Sequence, residues 1–420
     1  MISKKNLQSS ILLKNTFSLY CMTAAKYILP FVVTACLTRR LGSEQYGVIT
    51  YITAVMNYYL MFFDFGFNYS ATKKISEKRD CPTYIKQIVS EVFTAKIILV
   101  GLGSILLIIL CFCIRILKNN ILLLVLYYLA TASNVLVPDF LYRGLEKMQY
   151  ITSRYIISKL IGTVLIFLMV MGPEHILLIP VFNLFGNIVS VIFTVSHMKK
   201  ELGYCYCFAP LLSTIQSIKT SLIYFASTAA SSVLSAFNTF AMGFASFSEA
   251  EIAYWGVAFQ VVGAIQALYD PITSSVYPHV VVRKNYKFVL KLTCILSCAV
   301  VLGCILLYFF SDVVITILAG SDYLAAVNVL RMLIPVVFFS FPAQMLGFPL
   351  LGAMGQQKWV TLSTVSTGAI HIFATFLLLW LGQYTLVSMS ILRGISEGLL
   401  LGIRIIFVLM FLYKNKVNIK

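Results

Sequence analysis

The chain has 420 residues, of which 60% are hydrophobic and only 11% are charged, and its formal net charge is +17. Soluble domains carry roughly 25% charged residues, so this composition excludes an ordinary soluble protein and indicates a multi-pass membrane protein. On a soluble protein the basic excess would suggest nucleic acid as a partner. Beside so many apolar runs it indicates anchoring at the cytoplasmic membrane surface, and we predict no nucleic-acid partner.

Apolar segments of spanning length recur along the chain and predict an all-α polytopic membrane protein with about twelve transmembrane helices. A span needs roughly 20 apolar residues, and its backbone groups must pair within the span, which favours helix. Residues 1–14 are polar and basic and precede a long apolar run, so we predict no cleavable signal. The predicted spans are 11–37, 47–71, 88–114, 121–142, 155–172, 176–196, 222–245, 257–281, 289–310, 332–354, 362–381 and 386–413.

The distribution of basic residues predicts the orientation of these spans. With the N-terminus in the cytoplasm, 22 of the 32 Lys and Arg residues lie at the cytoplasmic side, 5 lie outside and 5 lie within spans. Cytoplasmic segments of membrane proteins carry the basic excess, so both termini are predicted to be cytoplasmic and the span count even.

Similar residues recur at nearly constant offsets and predict an internal repeat. Asp64 and Asp270 are each followed by a basic loop and a tyrosine, and KMQYIT at 147–152 is similar to QQKWVT at 356–361. The offsets lie between 202 and 209 residues, close to half the chain. We therefore predict two six-helix bundles, 1–205 and 206–420, with the substrate site between the repeats, as in many transporters.

Charged side chains within spans are costly and usually face a cavity or a partner. Lys26, near the middle of span one, could meet a phosphate of the substrate or pair with a carboxylate on a neighbouring span. Asp64, near the inner end of span two, could neutralise Lys26, bind a coupling cation or anchor the helix end. Asp139 and Arg143 lie four residues apart at the end of span four and are predicted to form a gate pair.

The second half contains a further acidic candidate and three polar residues that favour structural roles. Asp270 precedes Pro271, which can bend a helix, so it could bind a proton or sodium or make a fixed interhelical contact. Arg393 and Glu397 are predicted to pair along one helix face. A lone histidine such as His371 is more typical of packing than of a proton relay, and Arg404 is predicted to extend toward the inner surface.

No catalytic or metal-binding pattern emerges from the sequence. The chain lacks the G-x-x-x-x-G-K-[ST] phosphate loop and the H-E-x-x-H zinc motif, and its paired cysteines have C-x-C spacing. We therefore predict that the protein is not an enzyme and that it has no metal site and no cofactor. Its energy source would be a proton or sodium gradient, with Asp64 or Asp270 as the ion-binding residue.

Four segments resemble motifs of the Wzx-type polysaccharide flippases, which belong to the multidrug/oligosaccharidyl-lipid/polysaccharide exporter superfamily. They are RRLGSEQYG at 39–47, DFGFNYSATKKIS at 64–76, FLYRGLEKMQYIT at 140–152 and LLGAMGQQKW at 350–359. The resemblance covers nearly the whole chain. It implies two six-helix bundles around a central cavity, in which the charged lining comes mainly from helices one, two, seven and eight.

The resemblance also implies a function. The substrate would be an undecaprenyl-diphosphate-linked oligosaccharide for O-antigen or capsule, moved by alternating access from the cytoplasmic to the outer leaflet of a bacterial plasma membrane. Lys26 and Asn238 would bind the substrate, and a polysaccharide polymerase and a chain-length regulator would be partners.

Two other functions remain open from the sequence. An ion-coupled multidrug exporter of the same fold would need an acidic cavity, to which only Asp64, Asp139 and Asp270 could contribute. A membrane polysaccharide polymerase would need a sizeable catalytic loop outside the bilayer, and the longest predicted outer segment, about 311–331, is too short for one.

Overall fold

The computed structural model describes the backbone of residues 2–414, which is built from α-helices and contains no β-strand in that range. It describes the side chains of residues 21–413 except those of 227, 231, 235 and 282. The basic side chains predicted at the two cytoplasmic termini, before position 21 and after position 413, lie outside the described residues.

The α-helices of residues 2–414 are separated by short turns, 3₁₀ segments and one π-helical segment, Leu346–Gly352. In chain order they are α1 (Ile2–Asp64), α2 (Phe67–Glu77), α3 (Pro82–Cys113), α4 (Arg115–Asn119), α5 (Ile121–Ser133), α6 (Asp139–Gly144), α7 (Met148–Met169), α8 (Leu178–Lys200), α9 (Leu211–Ala241), α10 (Glu249–Ala267), α11 (Tyr269–Arg283), α12 (Tyr286–Phe309), α13 (Ser311–Ala319), α14 (Ala325–Met345), α15 (Gln357–Trp380) and α16 (Leu386–Lys414).

Helical segments long and apolar enough to cross a membrane confirm the predicted class, an all-α polytopic membrane protein. Within the described residues there are 10 such segments, or 11 if the pair Leu211–Leu234 and Ala236–Phe244, bent by 75°, counts as one span. The first segment, Cys21–Glu77, has 57 residues and contains most of both of the first two predicted spans. The predicted number of about twelve spans is therefore approximate, because some predicted neighbouring spans form one continuous helical segment.

Residues with special backbone preferences mark where the helices break. Gly42 interrupts α1 with a φ of 75°, a conformation that costs glycine little because it has no Cβ. Gly66 has a φ of 76° and separates α1 from α2, and Pro82 stands in the first turn of α3, where its missing N–H costs nothing. Ser248 and Glu251 form a capping box that starts α10.

The chain forms two compact units, Met1–Ala229 and Ala230–Lys420. Their boundary lies within α9, whereas the predicted bundles divide at 205/206, so the assignment of six helices to each bundle stays a prediction. In the first unit α7 packs against α1 and α8, and α5 packs against α8. In the second unit α14 packs against α10, α12 and α16.

The loops before α7 and α15 have the same backbone geometry, 209 residues apart. The N–H groups of Lys147 and Gln356 each donate to the carbonyl five residues earlier, at 2.8 and 2.9 Å. The residues just before them, Glu146 and Gly355, have positive φ values of 57° and 77°. The matched segments 147–152 and 356–361 therefore share a local fold as well as a sequence pattern.

Candidate functional site

A cavity in two parts that share lining residues lies inside the first unit. The larger part, the neutral chamber, measures about 590 Å³ and extends from Lys26 toward Leu37 and Tyr46. The smaller part, the charged chamber, measures about 300 Å³ and extends from Lys26 toward Asp64 and Asp139. Binding sites for small ligands usually measure roughly 300–1,000 Å³. Both chambers are lined by the same six residues where they meet: Lys26, Leu60, Asn134, Tyr155, Lys159 and Asn187.

The charged chamber contains most of the intramembrane charge of the first unit. Ionisable side chains inside a membrane usually face a cavity or a partner, and in this chamber they do both. Five basic and two acidic side chains line it: Lys26, Lys96, Arg143, Arg154 and Lys159, with Asp64 and Asp139. The lining therefore has an excess of positive charge.

Asp64 pairs with Lys96 on α3 and not with Lys26. The Lys96 Nζ lies 3.8 Å from Asp64 Oδ1, and Asn68 Nδ2 donates to the same oxygen at 2.7 Å. Lys96 is buried, so its ammonium group is shielded from bulk water. The sequence left the neutralisation of Lys26 by Asp64 open, and the packing of α3 against α1 gives the carboxylate a different partner.

Asp139 forms an ion pair with Arg154 on α7, so the predicted pairing of Asp139 with Arg143 is wrong. Arg154 Nη2 donates to both carboxylate oxygens, at 2.8 and 2.9 Å, and its Nη1 donates to Ser190 Oγ at 3.1 Å. The pair therefore joins α6 to α7 instead of linking two residues of α6.

Three cationic side chains of the cavity form no ion pair with a carboxylate of the described residues. Lys26 lies with its Nζ 5.7 Å from the centre of the Tyr155 ring, and Lys159 lines both chambers. Arg143 lines the charged chamber, and its Nε is buried without a hydrogen-bond partner among the described residues. These groups are available to an anionic ligand.

The neutral chamber has a largely apolar wall that also presents uncharged polar groups. Apart from Lys26 and Lys159, where the chambers meet, its lining contains no Asp, Glu, Lys, Arg or His. Amides and hydroxyls supply the polarity instead, from four helices of the first unit. They are Thr34, Tyr46, Thr53 and Asn57 on α1, Tyr127 and Thr131 on α5, Thr163 on α7 and Asn183 on α8.

Asn238, predicted to bind substrate, lies in a buried hydrogen-bond network of the second unit. Its side chain is 3% exposed, and its Oδ1 lies 3.1 Å from His371 Nε2 and accepts a hydrogen bond from Tyr384 at 3.2 Å. The other ring nitrogen of His371 lies 2.7 Å from Ser396 Oγ. A residue satisfied in this way joins α9, α15 and α16, so the geometry favours a structural role for Asn238 and agrees with the packing role predicted for His371.

Asp270 is exposed and has no ion-pair partner in the part of the chain that the structure describes. It lies in the first turn of α11, beyond the break at Leu268 that separates α11 from α10. Pro271 has no N–H to donate to the carbonyl of Ala267 four residues earlier, which is consistent with the helix breaking at Leu268. Among the searched residues, no group of three or more His, Cys, Asp or Glu could hold a metal ion.

Two predictions about α16 have different outcomes. Arg393 and Glu397 form the predicted pair, with Arg393 Nη2 2.7 Å from Glu397 Oε1. Arg404 does not extend toward the membrane surface: it is 7% exposed, donates to the Ala343 carbonyl, and bonds Ser363 Oγ at 3.2 Å. Ala343 lies on α14 and Ser363 on α15, so Arg404 is held by two helices that pack against α16, which the sequence pattern did not predict.

Arg154 is the main residue that the sequence reasoning missed. The predicted span five starts at residue 155 and leaves Arg154 in the loop before it, whereas α7 begins at Met148. The helical spacing contained a usable signal, since Arg154 and Ser158 lie four residues apart, as do Tyr155 and Lys159. Extending the span by two turns would have placed all four on one polar side of α7.

The sequence pattern of the family described as "Polysaccharide biosynthesis protein" matches residues 12–281. The chain belongs to this family. Two curated relatives are each described as "Putative O-antigen transporter". The one from Escherichia coli (strain K12) is 24% identical over 86% of this chain and 89% of its own length. The one from Shigella dysenteriae is 27% identical over 74% and 78%.

Two solved structures, a MATE family transporter of the MOP superfamily and a lipid II flippase, have the same fold. An inward-facing multidrug resistance MATE family transporter superposes with a TM-score of 0.72, at 14% identity over 96% of this chain and 99% of that one. The lipid II flippase MurJ in an inward closed conformation superposes with a TM-score of 0.65, at 13% identity over 94% and 87%. Identities this low establish the shared fold alone.

Proposed function

We propose that this protein is a flippase that moves an undecaprenyl-diphosphate-linked oligosaccharide from the cytoplasmic to the outer leaflet of the bacterial plasma membrane. The observation that carries the proposal is the set of unpaired cations in the cavity of the first unit, Lys26, Arg143 and Lys159. Membership of a polysaccharide biosynthesis family and the descriptions of the two curated relatives support it.

The physical task of such a flippase is to lower the cost of taking phosphate charge out of water. An isolated anion in a low-dielectric interior is strongly disfavoured, and fixed cations that replace its hydration reduce that cost. Lys26 and Lys159 are placed to do this because neither is neutralised by an acidic neighbour. The prenyl chain would remain in lipid while the head group occupies the cavity, and alternating access would expose the cavity first to one side and then to the other.

Exchange of a proton or sodium ion would reset the carrier. Asp270 suits this role better than Asp64, because Asp64 is already paired with Lys96 whereas Asp270 is exposed and has no ion-pair partner among the described residues. After release, the lipid-linked unit would pass to a polysaccharide polymerase and its chain-length regulator, which we expect as functional partners.

The multidrug exporter is the second function to test, because the superposition with a MATE transporter covers nearly the whole chain. Exporters of organic cations need negative charge in the binding cavity. The charged chamber instead has five basic against two acidic side chains, and both acids are paired. This balance favours an anionic substrate.

The experiment is complementation of a deletion strain. Lys26→Ala and Lys159→Ala should each abolish surface polysaccharide at normal protein levels and cause lipid-linked units to accumulate in the inner leaflet. Lys358→Ala, on the exposed start of α15, is the matched control and should export normally. Normal export by both cavity variants would contradict the proposal, and a deletion phenotype limited to susceptibility to cationic drugs would favour the exporter.

A further inference from the structure

The cavity of the first unit changes in chemical character along its length, and the change follows the order of residues on its helices. On α7, Arg154 lines the charged chamber, Lys159 lines both chambers, and Thr163 lines the neutral chamber. On α1, Asp64 and Asn57 follow the same order in the opposite chain direction. The cavity therefore offers an ionic end and an uncharged, hydrogen-bonding end that meet at Lys26 and Lys159.

Two amides of the neutral chamber are free to bind a ligand. Asn57 on α1 is exposed and Asn183 on α8 is half-buried, and neither side chain hydrogen-bonds another described residue. The amides where the chambers meet differ, because Asn134 and Asn187 both donate to the Ala130 carbonyl, Asn187 at 2.7 Å. Asn68, in the charged chamber, donates to Asp64, so the two amides that form no hydrogen bond with a described residue both lie in the neutral chamber.

We propose that the neutral chamber is a saccharide subsite that binds the uncharged, hydroxyl-rich sugars of the substrate through Asn57 and Asn183. This inference rests on the proposed function, in which Lys26 and Lys159 hold the diphosphate. The diphosphate lies where the two chambers meet, and the sugars attached to it extend toward Leu37 and Tyr46.

The chemistry of the lining selects this class of ligand. A sugar hydroxyl both donates and accepts hydrogen bonds, and a carboxamide offers two donors and one acceptor oxygen, so the two groups complement each other without any net charge. An acidic sugar would leave its charge in a chamber that contains no cation beyond the two lysines, which is costly. A site built to hydrogen-bond a hydroxyl also rejects analogues that lack it.

The test measures binding of two probes to the purified full-length protein in lipid nanodiscs. One probe is undecaprenyl diphosphate without sugar, and the other carries a neutral N-acetylhexosamine–hexose disaccharide. Asn57→Ala and Asn183→Ala are each expected to weaken binding of the glycosylated probe about fivefold and to leave binding of the sugar-free probe unchanged. Lys159→Ala is expected to weaken binding of both probes.

Asn119→Ala is the matched control, because Asn119 is an exposed residue of α4 that lines neither chamber. The thermal unfolding midpoint of each variant is measured alongside, and the two asparagines are tested separately so that loss of one variant leaves the other. If the asparagine variants bind both probes as the wild type does, or lose both equally, the saccharide subsite is refuted while the flippase stands. If the wild-type protein binds neither probe above empty nanodiscs, the proposed function itself fails.

Discussion

Cations of the first unit fall into two classes that differ in their partners. Lys96 and Arg154 are buried and paired with Asp64 and Asp139, whereas Lys26 and Lys159 have no carboxylate partner among the described residues. A paired charge mainly fixes the positions of helices, because its partner already satisfies it. Lys26 and Lys159 are exposed and line the cavity, so their unpaired charges are available to a ligand.

The Asp139–Arg154 pair gives a prediction about stability. Arg154→Met leaves Asp139 without its partner, and we expect the free energy of unfolding to fall by about 3 kcal/mol, the lower end for a buried pair because Asp139 is a quarter exposed. The double variant Asp139→Asn/Arg154→Met should recover at least about 1 kcal/mol of that loss. Thermal unfolding of the purified protein measures both changes.

The pair Arg79–Glu146 provides the control for that measurement. Its atoms are also 2.8 Å apart, but both side chains are more than a third exposed. Water and salt screen such a pair, so Arg79→Met should cost less than about 1 kcal/mol. Equal losses from Arg154→Met and Arg79→Met would contradict the buried, ordering role of Arg154.

At the scale of the helices, Gly186 lets α8 approach α7 closely. A Cβ built on Gly186 would lie 2.5 Å from the backbone oxygen of Ser158, and no side-chain rotation can relieve a backbone contact. Small residues at helix interfaces permit this type of packing in membranes.

Gly186→Ala should therefore force α8 away from α7 and lower the unfolding midpoint, at a cost of about 1–3 kcal/mol for overpacking. Gly162→Ala, at the same helix pair, is the control, because its Cβ would meet its nearest atom at an ordinary 3.5 Å. Fluorescence-detected size-exclusion chromatography after heating compares the two. The packing account is wrong if Gly162→Ala is the more damaging variant.

A substitution in the loop before α15 can measure the cost of backbone strain without changing any packing contact. Gly355 has a φ of 77°, and a Cβ added to it would meet nothing within 4 Å, so Gly355→Ala changes only the conformational cost. We expect a loss of about 1 kcal/mol, since the left-handed region disfavours residues with a Cβ. Gly101→Ala, inside helix α3 and equally free of contacts, should instead stabilise the protein by up to about 1 kcal/mol.

Helices could be predicted from the sequence better than their partners could. Apolar length alone gave nearly every span, because lipid leaves the backbone no alternative to helix. It could not predict that Arg154 belongs to α7, because basic residues near a span end look the same whether they lie in the loop or in the helix. The partners of Asp64 and Asp139 depend on which helices become neighbours in space, which one sequence does not show. Spacing within one helix can indicate a pair, as it did for Arg393 and Glu397.

Across the whole molecule, the proposed transport moves charge through the membrane. Outward movement of an anion from a negative interior gains about 2.3 kcal/mol per charge for each 100 mV. In proteoliposomes we expect the initial rate of outward transfer of the diphosphate-linked probe to rise when a potassium diffusion potential makes the interior negative, and to fall when the potential is reversed.

Lys26→Ala should lower the rate at every potential without removing its voltage dependence, because the cargo still carries its charge. A rate that does not respond to voltage in the wild-type protein would contradict net outward movement of the cargo's charge. Repeating the assay without sodium and with a clamped pH tests whether either ion is exchanged for the cargo.

The meeting of the two chambers at Lys26 and Lys159 has a geometric consequence for the cargo. With the diphosphate held at these lysines, each additional sugar ring must reach deeper between α1, α5, α7 and α8, toward Leu37 and Tyr46. Under the proposed function, the depth of the neutral chamber would limit the length of the repeat unit. Length, as well as the identity of the sugars, would then decide which glycans the cavity accommodates.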